Sequence, residues 1–159
     1  MTILKDLREF NKILVKLFND ILDYEADALK TPEFKDLTNN DVHVISAIGQ
    51  NTRKNMSMIA RELSVTIGSL TIAINSLVRK GYVIRERSDK DRRVVFVKLS
   101  LKGEKAFMQY EDFHSNMVSA MLKDLDMDEK KILVNAMTKI DNWIKVGLEK
   151  NKEIKNEEN

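Results

Sequence analysis

Residues 57–100 constrain this chain more than any other stretch. From Thr66 to Lys80, apolar Ile67, Leu70, Ile74 and Leu77 recur three or four residues apart and so share one face of a helix. That face is expected to be core. The other carries Ser69, Thr71, Ile72, Asn75 and Ser76 and is almost free of charge, whereas a merely solvated helix displays Lys and Glu. Small polar side chains of this kind come close to base edges and thymine methyl groups. Gly81 supplies the left-handed residue that ends helices, with Arg79 and Lys80 in the last turn, where the helix dipole favours cations.

Upstream, Ser57 is the expected cap of a shorter helix, Met58 to Leu63, and the turn to the second helix falls at Ser64 and Val65 with Thr66 as its cap. Downstream, Tyr82 to Arg87 and Val94 to Leu99 are rich in β-branched and aromatic residues, and the charged run Ser88 to Arg93 joins them as a hairpin loop. This order predicts a helix-turn-helix followed by a β-hairpin wing. In its usual docking the second helix enters the major groove while the first crosses the DNA backbone. Thr66, Ser69, Thr71, Ile72, Asn75 and Ser76 are therefore the candidate base-reading residues. Arg53, Lys54, Ser57, Arg87, Lys90, Asp91, Arg92 and Arg93 are the candidates for the wing and the backbone. Arginines at a hairpin tip suit the narrow, electronegative minor groove.

Charge supports the same reading. Residues 1–52 hold 6 basic and 9 acidic side chains, residues 53–105 hold 13 and 5, and residues 106–159 hold 8 and 11, so a net +8 falls on the winged segment and −3 on each flank. That is the electrostatic footprint of a phosphate-binding surface. The absence of cysteine excludes disulfides and thiolate metal sites. The two histidines, His43 and His114, belong to no close-spaced ligand motif, so no metal site, cofactor or catalytic residue is expected. No Gly-rich phosphate loop or nucleophile elbow is present, which argues against an enzyme. No apolar run reaches the roughly 18 residues of a membrane span. Met1 to Phe10 mixes Lys5, Asp6, Arg8 and Glu9 among its apolar residues, unlike a leader, and a cytoplasmic protein is expected.

The flanks read as helices. Ile3, Leu7, Phe10, Leu14, Leu17, Ile21 and Ala28 recur over about 27 residues, with Leu4, Ile13, Phe18 and Leu22 beside them. Pro32 marks the break. Thr38 and Asp41 read as the cap and third position of the next helix, which ends near Gly49. Ser100 caps a helix to about Asp124, and Asp126 with Glu129 restarts a last one. The expected architecture is all-α with a small β-hairpin wing. Residues 37–100 would form the DNA-binding domain, residues 1–36 and 101–150 a helical dimerisation region, and residues 151–159 a charged, frayed tail. A two-fold dimer would place its reading helices about 34–36 Å apart, which predicts a pseudo-palindromic operator on double-stranded DNA.

This order of elements resembles the MarR family of dimeric bacterial regulators. The most specific likeness is Asp91-Arg92-Arg93 followed by Leu99-Ser100 and Gly103, with serine where the family usually has threonine. The resemblance implies that Arg93 enters the minor groove and that Asp91 holds it by a charge-assisted hydrogen bond. Glu62 to Thr71, Asn75, Leu77, Lys80-Gly81-Tyr82 and Asp41-Val42-His43 are similar to the FabT-type repressors of fatty-acid synthesis genes. That likeness implies a corepressor, a long-chain acyl group on acyl carrier protein, and an acyl pocket near Phe10, Leu14, Phe18, His43, Val44, Ile45 and Phe113, although the same residues also suit ordinary core. A MarR-type regulator released by aromatic or drug-like ligands, a metal-responsive regulator and a nonspecific architectural DNA-binding protein are the alternatives.

Overall fold

The computed structural model describes residues 2–28, 31–88 and 94–157. Among these, the chain forms α1 (Thr2–Ala28), α2 (Asn39–Ile48), β1 (Lys54–Asn55), α3 (Met56–Glu62), α4 (Ile67–Arg79), β2 (Val83–Arg87), β3 (Val95–Leu99), α5 (Leu101–Leu122) and α6 (Met127–Glu157). The architecture is mostly helical with a small antiparallel sheet ordered β1-β3-β2, a winged helix. Two compact units are present, Met1–Ser115 and Asn116–Asn159.

Capping sets the helix starts. Thr38 and Asp41 form a reciprocal capping box on α2, the Thr38 hydroxyl accepting from Asp41 N at 3.1 Å while Asp41 Oδ2 accepts from Thr38 N at 3.0 Å. Asn55, not Ser57, caps α3, accepting from Met58 N at 2.8 Å. The helix therefore starts two residues earlier than expected, because an Asn amide oxygen caps as well as a serine hydroxyl and Asn55 reaches Met58 N. Thr66 caps α4 and Asp126 caps α6, the latter with Glu129 reaching back to Asp126 N. Helix α6 continues to Glu157, through the tail expected to fray, since nothing after Gly147 breaks it and Lys and Glu are good helix formers.

The core of the first unit gathers α2, α3, α4 and the sheet. Ile45, Ile48, Ile59, Ile74, Leu77, Tyr82 and Val97 are fully buried. Of the four residues expected to face inward from α4, Leu70, Ile74 and Leu77 do so, but Ile67 is 53% exposed. It sits in the first turn, at the edge of the apolar face, where the chain is only arriving at the core. The two-residue strand β1 carries no period of its own and is defined by its pairing. It pairs Lys54 with Val97 and Asn55 with Phe96, so β3 is the central strand and Val97 lies under both neighbours.

Candidate nucleic-acid interface

Three anchors fix helix α4 with its charge-poor face outward. At its start, Ser64 takes a left-handed φ of 55° in the turn, and the Thr66 hydroxyl accepts from Ser69 N at 3.1 Å while donating to Ser69 Oγ at 2.9 Å. Along its inner face it is held by Leu70, Ile74 and Leu77. At its end, Lys80 Nζ lies 2.8 Å from the buried Asp41 carboxylate, which ties the helix to the capping box of α2. Ser69, Ile72 and Asn75 are left exposed, and Ser76 half-buried beside them. Thr71 donates its hydroxyl to Ile67 O at 2.7 Å, so its proton is committed to the helix backbone.

The chain then turns at Gly81, φ +81°, into a tightly built joint. Tyr82 is fully buried and donates to Asp36 Oδ1 at 2.7 Å, while Lys102 Nζ stands 4.0 Å above its ring. Burial, then the hydrogen bond to Asp36, pushes the Tyr82 phenol well above its ordinary range. Partial burial opposes ionisation of Asp36, but the Tyr82 hydrogen bond and the charges of Lys102 and Lys80 outweigh it and hold that carboxyl below its ordinary value. Ser100 donates to Gly81 O at 2.6 Å and accepts from Gly103 N at 3.1 Å, and Ser100 N donates to Tyr82 O at 2.9 Å. A side chain at Gly103 would place its Cβ 2.1 Å from Tyr82 O. The Leu99-Ser100 and Gly103 signature is thus the latch of helix α5 onto the end of α4.

On the wing, the period of two puts Arg85 and Arg87 on one face of β2, opposite Val97 and Val95. Together with Thr71, Met56 and Val95 they line an open cleft of about 480 Å³ beside α4. Arg85 was missed in the sequence, although its alternation with Arg87 gave the signal. On the other face Glu86 pairs with Lys98, and Arg53 stands over the Phe96 ring at 4.9 Å. Lys54 is already engaged within the fold. Its ammonium donates to Ala47 O at 2.5 Å and to Glu62 Oε2 at 2.9 Å, a clamp between α2 and α3 that leaves it little freedom to meet phosphate. Ser57 is exposed in the first turn of α3. Lys90, Asp91, Arg92 and Arg93 lie outside the described residues.

The residues suggested for an acyl pocket separate. Val44 and Ile45 are core, whereas Phe10, Leu14 and Phe18 lie on an exposed stripe of α1 and the Phe113 ring lies tilted against Tyr24, centroids 5.0 Å apart. His43 and Val44 line a cleft of about 160 Å³ completed by Asn40, Leu63, Val65, Ser69, Leu70 and Ala73. The other five suggested residues are not part of that cleft. His43 also faces the buried Glu25, at 3.7 Å. His114 Nε2 approaches the same carboxylate to 2.8 Å, within ion-pair reach although its N–H is not aligned for a hydrogen bond. Tyr110 donates to Glu25 Oε1 in a long contact of 3.5 Å. Burial, then the Glu25 charge, pushes the Tyr110 phenol up to about 12. The histidines that share no sequence motif thus meet at one carboxylate. Among the described residues, no group of three or more His, Asp or Glu side chains is arranged to hold a metal ion.

This geometry has close counterparts. A model of the MarR family matches residues 37–95. The chain is 32% identical over 110 residues to the HTH-type transcriptional regulator SarZ of Staphylococcus haemolyticus, covering 64% of this chain and 68% of that protein. It is 29% identical over 82 residues to the uncharacterized HTH-type transcriptional regulator YwhA of Bacillus subtilis, spanning 52% of this chain and about three-fifths, 59%, of the relative. Among solved structures, Streptococcus pneumoniae FabT in complex with DNA aligns at a TM-score of 0.83 with 32% identity, over 87% of this chain and 97% of that one. MarR from E. coli aligns at 0.61 with 27% identity, over 80% and 93%.

Proposed function

We propose, from the premise that this chain belongs to the MarR family of DNA-binding transcriptional regulators, that it is a homodimeric repressor of fatty-acid synthesis genes whose corepressor is a long-chain acyl group on acyl carrier protein. The observation that carries this reading is the near-complete alignment with FabT in its DNA complex, at 32% identity. The exposed face of α4 and the Arg85–Arg87 face of β2, which share a cleft, support this reading. Major-groove contacts come from Ser69, Ile72, Asn75 and Ser76, and phosphate contacts from the arginines of β2.

Exposed apolar side chains support pairing of two copies. In the first unit, Phe10, Ile13 and Phe18 of α1 are more than half exposed, and in the second unit Met137 and Trp143 of α6 are 60% and 77% exposed. Apolar surface on that scale calls for a partner, and a second copy also matches the two-fold symmetry of an operator. No single helix among the described residues is long and apolar enough to cross a membrane. The acyl carrier acts by population shift, strengthening binding only by its differential affinity for the two states of the dimer, typically 1–3 kcal/mol.

Fluorescence anisotropy on the DNA upstream of its own gene and on a scrambled duplex, at fixed salt, tests this directly. Specific binding tightened by long-chain acyl-acyl carrier protein is the expected result. Specific binding indifferent to that carrier, or released by aromatic ligands, keeps the family and removes the fatty-acid role. Equal affinity for both duplexes identifies an architectural protein.

A further inference from the structure

The reading helix carries an apolar side chain on its outer face, far from the core. Ile72 is 73% exposed, the most exposed large hydrophobic residue of α4. At about 100° per residue it points roughly opposite to the mean direction of Leu70, Ile74 and Leu77. One turn before it stands Gly68, where an added Cβ would meet only Thr66 Oγ1 at 3.8 Å, so that turn puts no side chain beside Ile72. One turn after it, Asn75 and the half-buried Ser76 supply hydrogen-bonding groups. The exposed outer face of α4 is therefore a methyl-bearing side chain between an open step and an amide.

Isoleucine offers no hydrogen bond to a phosphate or a base edge, and its exposure in water is unfavourable. What it can gain in a major groove is contact with an apolar group, and the one such group that bases present there is the C5-methyl of thymine. Asn75, three residues on and adjacent on the helix surface, has the bidentate donor and acceptor pair that adenine presents. We infer that Ile72 reads a thymine by packing on its C5-methyl group, next to an adenine contacted by Asn75, so that each half-site contains an A·T-rich step at the centre of the contact. This inference rests on the reading of the chain as a sequence-specific DNA-binding regulator and adds the chemistry of one recognised position.

Deoxyuridine isolates that methyl, since it pairs as thymidine does and lacks only the C5-methyl group. Full-length protein enriches its preferred duplexes from a random-sequence pool, and each thymine of the winning duplex is then replaced singly by deoxyuridine. For the unsubstituted protein, one thymine per half-site is expected to cost about fourfold in affinity, the scale of one buried methyl group, while the other thymines cost nothing. Ile72→Ala is expected to bind the parent duplex more weakly and to be indifferent to deoxyuridine at that position, and Ile72→Val to retain part of the preference. Deoxyuridine tolerated everywhere by the unsubstituted protein, or a penalty unchanged in Ile72→Ala, overturns the inference while leaving sequence-specific binding intact. A pool that yields no enriched sequence overturns both.

Discussion

His114 on α5 and Glu25 on α1, 89 positions apart in the chain, approach to 2.8 Å around a carboxylate that is only 6% exposed. Tyr110 and His43 approach the same group, so one side chain joins α1, α2 and α5. Burying a carboxylate is costly, and this one is tolerated because three polar groups face it. Glu25→Gln keeps the shape and removes the charge. It is expected to lower stability by about 1–3 kcal/mol, read as an earlier urea midpoint at unchanged slope. A midpoint equal to that of the parent protein would show that the carboxylate contributes nothing net.

The two buried tyrosines set the alkaline limit. A group whose folded pKa is raised stabilises the fold fully below its unfolded value and loses that contribution as pH climbs to the folded one. Tyr110, held near 12 by burial and then by Glu25, therefore contributes fully below about pH 10 and progressively less from 10 to 12, and Tyr82 loses its contribution in the same direction. Asp36 works with the opposite sign, its contribution being present above about pH 4 and fading as the solution is acidified. Thermal melts at pH 8 and pH 11 should show a drop that shrinks in the Tyr82→Phe, Tyr110→Phe double variant. A drop of the same size in that variant would place the alkaline sensitivity elsewhere.

Much of this was legible in the chain because the signals were local. Leu70, Ile74 and Leu77 at helical spacing, Thr38 with Asp41, and Ser100 as a cap are each local signals within one or two turns, where periodicity and capping act, whereas Gly103 entered only through the family likeness. What escaped was either too short or too distant. The two residues of β1 carry no period of their own, and only pairing with β3 makes them strand. The Glu25 cluster draws on positions 25, 43, 110 and 114, which no spacing rule connects. Lys54 looked like one more cation in a basic stretch, since the Ala47 carbonyl and Glu62 that bind it are brought there by the fold.

Gly103 is a packing requirement rather than a flexible point. Gly103→Ala drives a methyl into Tyr82 O, a backbone atom that cannot step aside without breaking the Ser100 latch. The expected cost is about 3 kcal/mol or more, with reduced DNA binding following from the displaced end of α4. Gly68→Ala is the control, since its Cβ meets only a contact of ordinary length. That variant should fold at least as stably as the parent, and equal losses in both would remove the steric account.

Arg85 and Arg87 should act on phosphate, not on bases. Arg85→Ala and Arg87→Ala are each expected to weaken binding to specific and random duplexes alike. The slope of log affinity against log salt should fall by about one for each phosphate contact removed. Lys54→Ala should leave that slope unchanged and lower the unfolding midpoint instead, because its ammonium serves Ala47 and Glu62. A reduced slope in Lys54→Ala, with stability intact, would return it to the DNA surface.

The pair Lys80–Asp41 couples α4 to α2, and its worth can be separated from the capping box that shares the same carboxylate. Asp41 Oδ2 accepts from Thr38 N and from the Thr38 hydroxyl at 2.9 Å as well as from Lys80. In Lys80→Met the carboxylate therefore keeps two donors, so its loss should be small, about 1 kcal/mol. Asp41→Ala removes cap and pair together and should cost about 2–3 kcal/mol. If the pair holds α4 in register, the double variant falls short of the sum of the two losses by about 1 kcal/mol, and DNA affinity shows the same shortfall. Strict additivity in both measurements would mean that the contact at 2.8 Å is incidental, and that Leu70, Ile74 and Leu77 alone set the position of α4.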